Sequence, residues 1–211
     1  MAKNTLIYIF EPLDGWCYGF GPIIQKLQDK YAQSFDFDIL SAGLIVGNRI
    51  GPLANVAGFI KQVYKVVEQN SEVKFGSKFI NETLAAGKVT FSSLEPSKAL
   101  TIFKQFQPEK AIVFSHDIQK LIFSDGIDPV QISAYLPLFE RYGISKDEVL
   151  PLFALRGQEQ ETINEFGQVH RWGIKDFPTV ILQMEDGKAF VISSGFTSFP
   201  EMEKRIQPYL S

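Results

Sequence analysis

The residues of this chain that could do chemistry start with a carboxylate and a thiol, in the segment Asp14-Gly15-Trp16-Cys17. A cysteine attacks as its thiolate, and a nearby carboxylate disfavours that charged form. We therefore expect Cys17 to be a weak nucleophile, and its simplest interpretation is a small buried apolar side chain. Asp14 has two interpretations: an N-cap for the helix that follows, or a carboxylate that acts on a bound substrate.

The numbers of cysteine and histidine residues exclude an internal disulfide and a four-ligand zinc site. Cys17 is the only cysteine, so the chain cannot form an internal disulfide. One cysteine and two histidines, His116 and His170, cannot supply a four-ligand zinc site, and we expect no metal. The sequence also lacks a Ser/His/Asp motif, a phosphate-binding loop, and a dinucleotide-binding glycine motif with its acidic partner.

The composition is that of a globular protein that does not bind nucleic acid. The 211 residues are 45% hydrophobic, enough for one sizeable core with or without an insertion. Lys and Arg number 21 against 24 Asp and Glu, so there is no basic excess to neutralise phosphates. The first apolar run, residues 6–10, ends at Glu11-Pro12 and is too short for a signal peptide or a membrane span. We therefore expect a cytoplasmic protein with no membrane partner, and the oligomeric state stays open.

The first 41 residues predict a strand, a helix and a second strand. Thr5–Phe10 is an unbroken apolar run, typical of a buried strand. A helix is expected to begin near Trp16 or Cys17, with Pro22 within or just past its first turn. Phe35–Ser41 alternates apolar and polar residues, which predicts the second strand and a βαβ unit.

The segment from about 43 to 155 predicts a helical insertion without strands. It opens with a glycine-rich loop, Gly43–Pro52, and an apolar stripe at helical spacing follows: Val56, Ile60, Val63 and Val67. Further helices are expected around Pro96–Phe106, Pro108–Phe123, Pro129–Tyr142 and Lys146–Leu155. Prolines at helix starts, together with Gly126 and Gly143 at helix ends, mark their boundaries.

The last 55 residues or so return to a mixed pattern. A helix is expected over Gln158–Trp172 and is closed by Gly173. Phe177–Met184 and Ala189–Ser193 predict two strands joined by a tight turn that contains Asp186-Gly187. A final helix is expected over Phe199–Leu210. The predicted order is therefore βαβ, a helical block, then αββα.

That order and four local stretches resemble the DsbA-like dithiol-disulfide isomerase family of bacteria, in particular its FrnE-like members. The first stretch is FEPLDGWCYGF at 10–20, where such proteins show D-P-x-C-x-W-C-Y-G-F. The others are GLIVGNRIGP at 43–52, KFGSKF at 74–79 with SSLEPSKAL at 92–100, and GIKDFPTVIL at 173–182. The resemblance implies an α/β, thioredoxin-like fold with an inserted all-helical subdomain. Residues 1–42 and 156–211 would form the core and 43–155 the insertion, in one compact unit.

The resemblance also implies a thiol site that this chain keeps only in part. In the family, the first cysteine of C-x-x-C lies at a helix N-terminus, where the helix dipole stabilises its thiolate, and the second resolves the mixed disulfide. Here Asp14 replaces the first cysteine and Cys17 matches the second, so the dithiol cycle is impossible for this chain alone. The matching loop implies a cis bond before Pro178, with the Phe177 and Thr179 backbones available to an extended substrate or glutathione.

The candidate site therefore combines two catalytic positions, Asp14 and Cys17, with a substrate-binding set. That set comes from the helix start, the loop after the second strand and the cis-proline loop: Gly15, Trp16, Tyr18, Asn48, Arg49, Phe177, Pro178 and Thr179. Trp16 and Tyr18 can line a groove or pack in the core. Arg49 can be a solvated surface residue, or it can bind a carboxylate such as that of glutathione.

The family activity that the resemblance implies is thiol–disulfide exchange, but the residues leave three functions open. The first is an oxidoreductase relative that forms a mixed disulfide through Cys17. The second is a glutathione-dependent transferase or isomerase, and the third is a binding protein that keeps only the groove beside Pro178. The partner would be a protein or small-molecule thiol or disulfide, or glutathione as substrate or ligand, and no bound cofactor is expected. A buried Cys17 sulfur would weigh against the first function.

Overall fold

The computed structural model describes residues 3–210 and contains a four-stranded sheet with helices on both faces. The strands are β1 (Asn4–Phe10), β2 (Phe35–Ser41), β3 (Gly51–Pro52), β4 (Thr90–Phe91), β5 (Thr179–Gln183) and β6 (Ala189–Ser194). The main sheet has the order β2-β1-β5-β6. In it, β1 runs parallel to β2, and β5 pairs antiparallel with both β1 and β6.

The helices cover this sheet and build the segment inserted after β2. They are α1 (Gly15–Tyr31), α2 (Ala54–Asn70), α3 (Leu84–Ala86), α4 (Leu94–Lys104), α5 (Ala111–Phe123), α6 (Leu136–Arg141), α7 (Lys146–Phe153), α8 (Arg156–Arg171) and α9 (Phe199–Ile206). Helices α1 and α9 pack on one face of the sheet and α8 on the other. Among residues 3–210, no helix has both the length and the apolar character needed to cross a bilayer.

Burial on both sides explains the unbroken apolar sequence of β1. Leu6 and Tyr8 face the large core beneath α1, whereas Ile7 and Ile9 pack with Val169 of α8 in a smaller core on the opposite face. Successive side chains of a strand point to opposite faces, so a strand covered on both faces must be apolar throughout. Each such side chain stabilises the fold by about 1.5–3 kcal/mol.

Helix α1 begins earlier than the sequence predicts. It starts at Gly15, which places Pro22 in the second turn instead of within or just past the first. The missing proline N–H leaves one helical hydrogen bond unmade, a cost that flanking burial of Phe20, Ile23 and Ile24 offsets. The early start follows from capping by Asp14, described below.

The segment 43–155 is helical as predicted, with three differences. A two-stranded antiparallel ladder joins β3 and β4, whereas no strand was expected; two residues carry no periodic signal, and tertiary contacts alone pair them. A short π-helix, Phe79–Thr83, runs into α3 where no helix was predicted. The helix expected over Pro129–Tyr142 is reduced to a 3-10 turn, Ile132–Ala134, and α6, because the Asp128 carboxylate accepts the Val130 N–H and holds a turn there.

A largely buried ion pair ties the inserted segment to the sheet. Lys104 of α4 binds the Glu165 carboxylate of α8, and its Nζ also donates to the Ile39 carbonyl of β2 at 3.0 Å. Glu165 in turn accepts the Ser41 N–H at 3.1 Å. Removing one member of such a pair leaves a buried charge uncompensated, which typically costs about 3–5 kcal/mol. The expected boundaries of core and insertion remain predictions, and their ends at residues 1–2 and 211 lie outside the described residues.

Two glycines provide a test of how closely α1 packs on α5. A Cβ at Gly21 of α1 would lie 2.2 Å from Nδ1 of the buried His116, whereas a Cβ at Gly58 of α2 meets nothing within 4 Å. We expect Gly21→Ala to lower the free energy of unfolding by about 1–3 kcal/mol through overpacking. Gly58→Ala should raise it by about 0.5–1 kcal/mol, since alanine favours helix. Urea denaturation measures both, and stabilisation by Gly21→Ala would contradict this packing.

Candidate functional site

Asp14 is the N-cap of α1. Its backbone is extended (φ −100°, ψ 123°), and its Oδ1 accepts the Cys17 N–H at 2.8 Å. The Tyr18 N–H makes a helical bond to the Asp14 carbonyl at 3.1 Å. The carboxylate thus satisfies an unpaired amide and faces the positive end of the helix, which confirms the predicted capping role.

The electrostatic surroundings of Asp14 suit proton transfer. Burial penalises the charged form and raises the pKa of the half-buried carboxyl to about 6, although hydrogen bonds from the Cys17 and Trp16 amides lower it. A carboxyl with this pKa is mostly ionised at neutral pH yet accepts a proton readily. General acid–base catalysis is most effective when the pKa lies near the working pH.

The Cys17 thiol is sealed in the core. Its side chain is fully buried, and its Sγ accepts the Glu11 N–H at 3.4 Å. Burial raises the pKa of the thiol well above its ordinary value, and the Asp14 charge raises it further. The thiol therefore stays protonated and out of reach of a substrate, which agrees with the expectation of a buried, weakly nucleophilic side chain.

Glu11 is a buried carboxylate that joins three segments at the site. Its Oε1 accepts the Leu13 N–H at 3.2 Å and the Ser93 hydroxyl at 2.7 Å, while its Oε2 accepts the Leu44 N–H at 2.7 Å. Ser93 Oγ accepts the Ile45 N–H at 2.9 Å, which extends the network along the loop after β2. Glu11 therefore holds the approach to α1, this loop and the start of α4 together.

Burial dominates the titration of Glu11. It raises the pKa of this carboxyl to about 7, against the lowering effect of the three donors. From the sequence, Glu11 has no predicted role beyond ending the first apolar run. The signal that could have revealed its role is a carboxylate directly after a fully apolar strand, at the motif position where the family that the sequence resembles carries aspartate.

Helix α5 completes the support beneath the helix start. Gln119 Nε2 donates to the Glu11 carbonyl at 3.3 Å and to the Asp14 carbonyl at 3.4 Å. One turn earlier, the buried His116 ring stacks on Tyr18 at 5.4 Å, and its Nδ1 has no hydrogen-bond partner within residues 3–210. Burial lowers the pKa of His116 to about 4, so this imidazole is neutral at physiological pH.

A small apolar pocket opens beside Asp14. Its volume is about 120 Å³, close to that of a cavity that holds a benzene ring, about 150 Å³. Asp14 supplies the carboxylate of its lining, beside Gly15 and Trp16 at the helix start. The α2 stripe recognised in the sequence forms one wall: Val56, Ile60, Val63 and Val67. The pocket therefore places an ionisable carboxyl against a site suited to an apolar group.

A larger groove lies on the other side of Leu44, which lines both cavities. Its volume is about 750 Å³, and it runs between the loop after β2, helix α8 and the segment before Pro178. Arg49 and Phe177 line it, as does His170. The structure thus brings two predicted binding residues, Arg49 and Phe177, to this groove. It brings three predicted site residues, Asp14, Gly15 and Trp16, to the small pocket.

The remaining predicted residues lie elsewhere. Tyr18 was expected to line a groove or pack in the core, and it packs in the core with its hydroxyl donating to the Lys74 carbonyl at 3.1 Å. Asn48 is exposed and lines neither cavity. The buried Thr179 hydroxyl donates to the Asp176 carbonyl at 2.6 Å, so its side chain faces the protein.

The Phe177–Pro178 peptide bond is cis. The Pro178 carbonyl accepts the Gly195 N–H at 2.8 Å and is therefore occupied. By contrast, the Phe177 amide and carbonyl have no hydrogen-bond partner within residues 3–210. Phe177 is thus the position in this loop where the backbone can pair with an extended ligand.

Comparisons with known proteins agree on the fold. No protein-family model and no curated protein matches the chain. Among solved structures, a candidate protein disulfide isomerase from Nitrosomonas europaea has a TM-score of 0.87 at 22% identity, covering 98% of this chain and 97% of its own. The cytosolic disulfide reductase DsbM from Pseudomonas aeruginosa has a TM-score of 0.76 at 20% identity, covering 90% of this chain and 89% of its own.

Two further solved structures of the same fold are a complex with GSH and an isomerase. DsbM has also been solved with GSH, with a TM-score of 0.73, 20% identity and coverage of 90% of this chain and 89% of its own. A 2-hydroxychromene-2-carboxylate isomerase has a TM-score of 0.65 at 11% identity, covering 97% of this chain and 95% of its own. The likeness establishes a DsbA-like thioredoxin fold with a helical insertion, which confirms the predicted fold class.

The capping role of Asp14 predicts a specific ranking of variants. Asp14→Ala should lower the free energy of unfolding by about 0.5–2 kcal/mol, because the Cys17 amide loses its acceptor. Asp14→Asn should change it little, since asparagine caps comparably. Urea denaturation of both variants at neutral pH tests this ranking. An Asn variant as unstable as the Ala variant would show that the charge itself holds the helix start.

Glu11 predicts a pH-dependent contribution to stability. Its pKa is about 7 in the folded chain and has the ordinary value of 4.5 when unfolded, so the folded state binds more protons between these pH values. The stabilising contribution of this group is therefore complete below pH 4.5 and is lost as the pH rises through 7. Glu11→Gln cannot titrate. The unfolding free energy of the wild type minus that of Glu11→Gln should therefore fall from about pH 5 to about pH 8. A constant or rising difference would mean that the three donors outweigh burial.

Proposed function

We propose that this protein is a glutathione-dependent transferase or isomerase that uses Asp14 as a proton-transfer group and has no dithiol cycle. The observation that carries the proposal is the Asp14 carboxyl at the N-terminus of α1, with a pKa raised to about 6, beside an apolar pocket. The DsbA-like fold supplies the setting, and the residue at the first motif position supplies acid–base chemistry in place of a thiol.

The step we assign to Asp14 is addition of the glutathione thiol to an electron-poor carbon–carbon double bond. The carboxylate accepts the thiol proton as the sulfur forms the new C–S bond, and the π electrons move into the substrate as an enolate. In a transferase, the protonated Asp14 then returns the proton to the enolate carbon and the adduct is released. In an isomerase, the enolate rotates about the former double bond and expels the thiolate as the C=C bond re-forms, and the protonated Asp14 returns its proton to the sulfur.

The helix N-terminus favours this proton transfer. Negative charge that develops on the attacking sulfur would be stabilised by the positive end of α1 before it passes to the enolate of the substrate. The electrophile would lie in the apolar pocket beside Trp16.

The cis-proline loop provides a place for the peptide part of glutathione. The free amide and carbonyl of Phe177 can pair with the cysteinyl residue of an extended ligand. DsbM, which shares the fold, has been solved with GSH, and another protein of this fold is named as an isomerase. Both names are compatible with a thiol ligand here, and a glutathione-rich cytoplasm is the compartment we propose.

Burial of the thiol argues against chemistry through Cys17. A mixed disulfide requires a thiolate that a substrate sulfur can approach, and the Cys17 side chain is fully buried with a raised pKa. The third possibility, a binding protein without chemistry, needs only the groove and the cis-proline loop. A binding protein would bind glutathione without catalysing a reaction, so the test requires both the glutathione affinity and the turnover rate.

Asp14→Asn separates the cap from the proton carrier. We expect the wild type to bind glutathione and to catalyse its addition to 4-phenyl-3-buten-2-one, an enone whose phenyl group suits the pocket. Asp14→Asn should keep stability and glutathione affinity while turnover falls by about 10²–10⁴-fold, the usual worth of a general acid–base group. Calorimetry, thermal unfolding and loss of enone absorbance give the three readouts.

Asp29→Asn is the matched control, because Asp29 is an exposed aspartate on the same helix and should leave all three quantities unchanged. Saturating glutathione at 100 times its dissociation constant should stabilise the fold by about 2.7 kcal/mol. Absence of glutathione binding would contradict the proposed function. Binding without turnover would favour the binding protein, and full turnover by Asp14→Asn would remove Asp14 from the mechanism.

A further inference from the structure

We propose that the 750 Å³ groove beyond Leu44 is a binding site for a small amphipathic carboxylate, an acid with an apolar body and one anionic end. The inference does not rest on the proposed function: Asp14 does not line this groove, although Phe177, whose backbone the proposed function assigns to glutathione, does. Its volume lies within the range of small-molecule sites, about 300–1,000 Å³. Three observations on the groove support it.

The walls of the groove are mainly apolar and come from two segments that are far apart in the sequence. The loop after β2 contributes Val46 and Ile50, and helix α8 contributes Ile163 and Phe166. Most isoleucines of the chain are buried, but Ile50 and Ile163 are 42% and 43% exposed. Covering them with an apolar ligand would remove this surface from water, which favours binding.

The charged groups of the groove all have the same sign. Arg49 follows β2 and Lys175 precedes the cis-proline loop, so two separate segments each bring a cation to the groove. No aspartate or glutamate lines it. Neither Arg49 nor Lys175 forms an ion pair with any of residues 3–210.

This charge pattern selects the class of ligand. The chain carries more acidic than basic residues, 24 against 21, so a groove with basic groups alone departs from its average surface. A neutral apolar ligand would leave the cations unused, and a purely polar anion would leave the isoleucine and phenylalanine walls uncovered. A carboxylate on an apolar body satisfies both, with the guanidinium of Arg49 able to bind it in a bidentate manner.

The test compares two probes of the same length. Octanoate and octanol share the apolar chain and differ in the charge at one end. We expect calorimetry to show that the wild type binds octanoate several-fold more tightly than octanol. Raising the salt concentration should weaken the binding of octanoate alone, because exposed charge interactions are screened.

Charge variants locate the binding. The double variant Arg49→Gln/Lys175→Gln should weaken octanoate binding by roughly three- to thirtyfold, the worth of two exposed charge interactions, and should leave octanol binding unchanged. The matched control is Lys61→Gln/Lys78→Gln, which removes two exposed charges away from the groove and should change neither affinity. Ile163→Ser should weaken the binding of both probes.

Three results would overturn the proposal: no binding of octanoate, equal affinity for octanoate and octanol, or equal effects of the two double variants. Glutathione serves as a fourth probe, since it carries carboxylates but little apolar surface. Tighter binding of glutathione than of octanoate that is lost in Arg49→Gln/Lys175→Gln would make the groove a peptide site and would likewise refute the inference. Octanoate affinity should survive Asp14→Asn, so the outcome is separable from that of the proposed function.

Discussion

The buried carboxylate of Glu11 is the interaction on which the arrangement around Asp14 depends. Burial disfavours its charge and raises its pKa to about 7, and donors from three different segments partly compensate by reaching its two oxygens: Leu13, Leu44 and Ser93. Those segments are the approach to α1, the loop after β2 and the start of α4. Satisfying one carboxylate therefore fixes the entry to the candidate site, the wall between its two cavities and the position of the inserted helices.

A second constraint acts at the start of α1, where the helix end favours an anion. In the pattern of the family that the sequence resembles, a cysteine stands at this position, and this chain places Asp14 there. The carboxylate caps the helix through the Cys17 amide and raises the pKa of the Cys17 thiol. The helix cap and the raised pKa of the thiol are therefore two effects of the same carboxylate.

The inserted helices build the cavities as well as support them. The stripe along α2 forms one apolar wall of the pocket beside Asp14, and Gln119 of α5 ties down the carbonyls of Glu11 and Asp14. On the other side of Leu44, α8 closes the groove that carries Arg49 and Lys175. The pocket that contains the Asp14 carboxylate and the groove that contains Arg49 and Lys175 are thus separated by Leu44, which lines both.

The sequence by itself determined the strands of the main sheet, most of the longer helices and the helix cap. The first part of Phe35–Ser41 alternates because one side of the strand is buried there, and Asp14 precedes a helix because its oxygen can accept a free amide; both signals are local. Only the tertiary structure decided the environment of Glu11, the burial of Tyr18 and the pairing of β3 with β4. These depend on contacts between residues far apart in the chain, such as Glu11 with Ser93. No local periodicity encodes them, because burial and donor geometry exist only once the segments have packed.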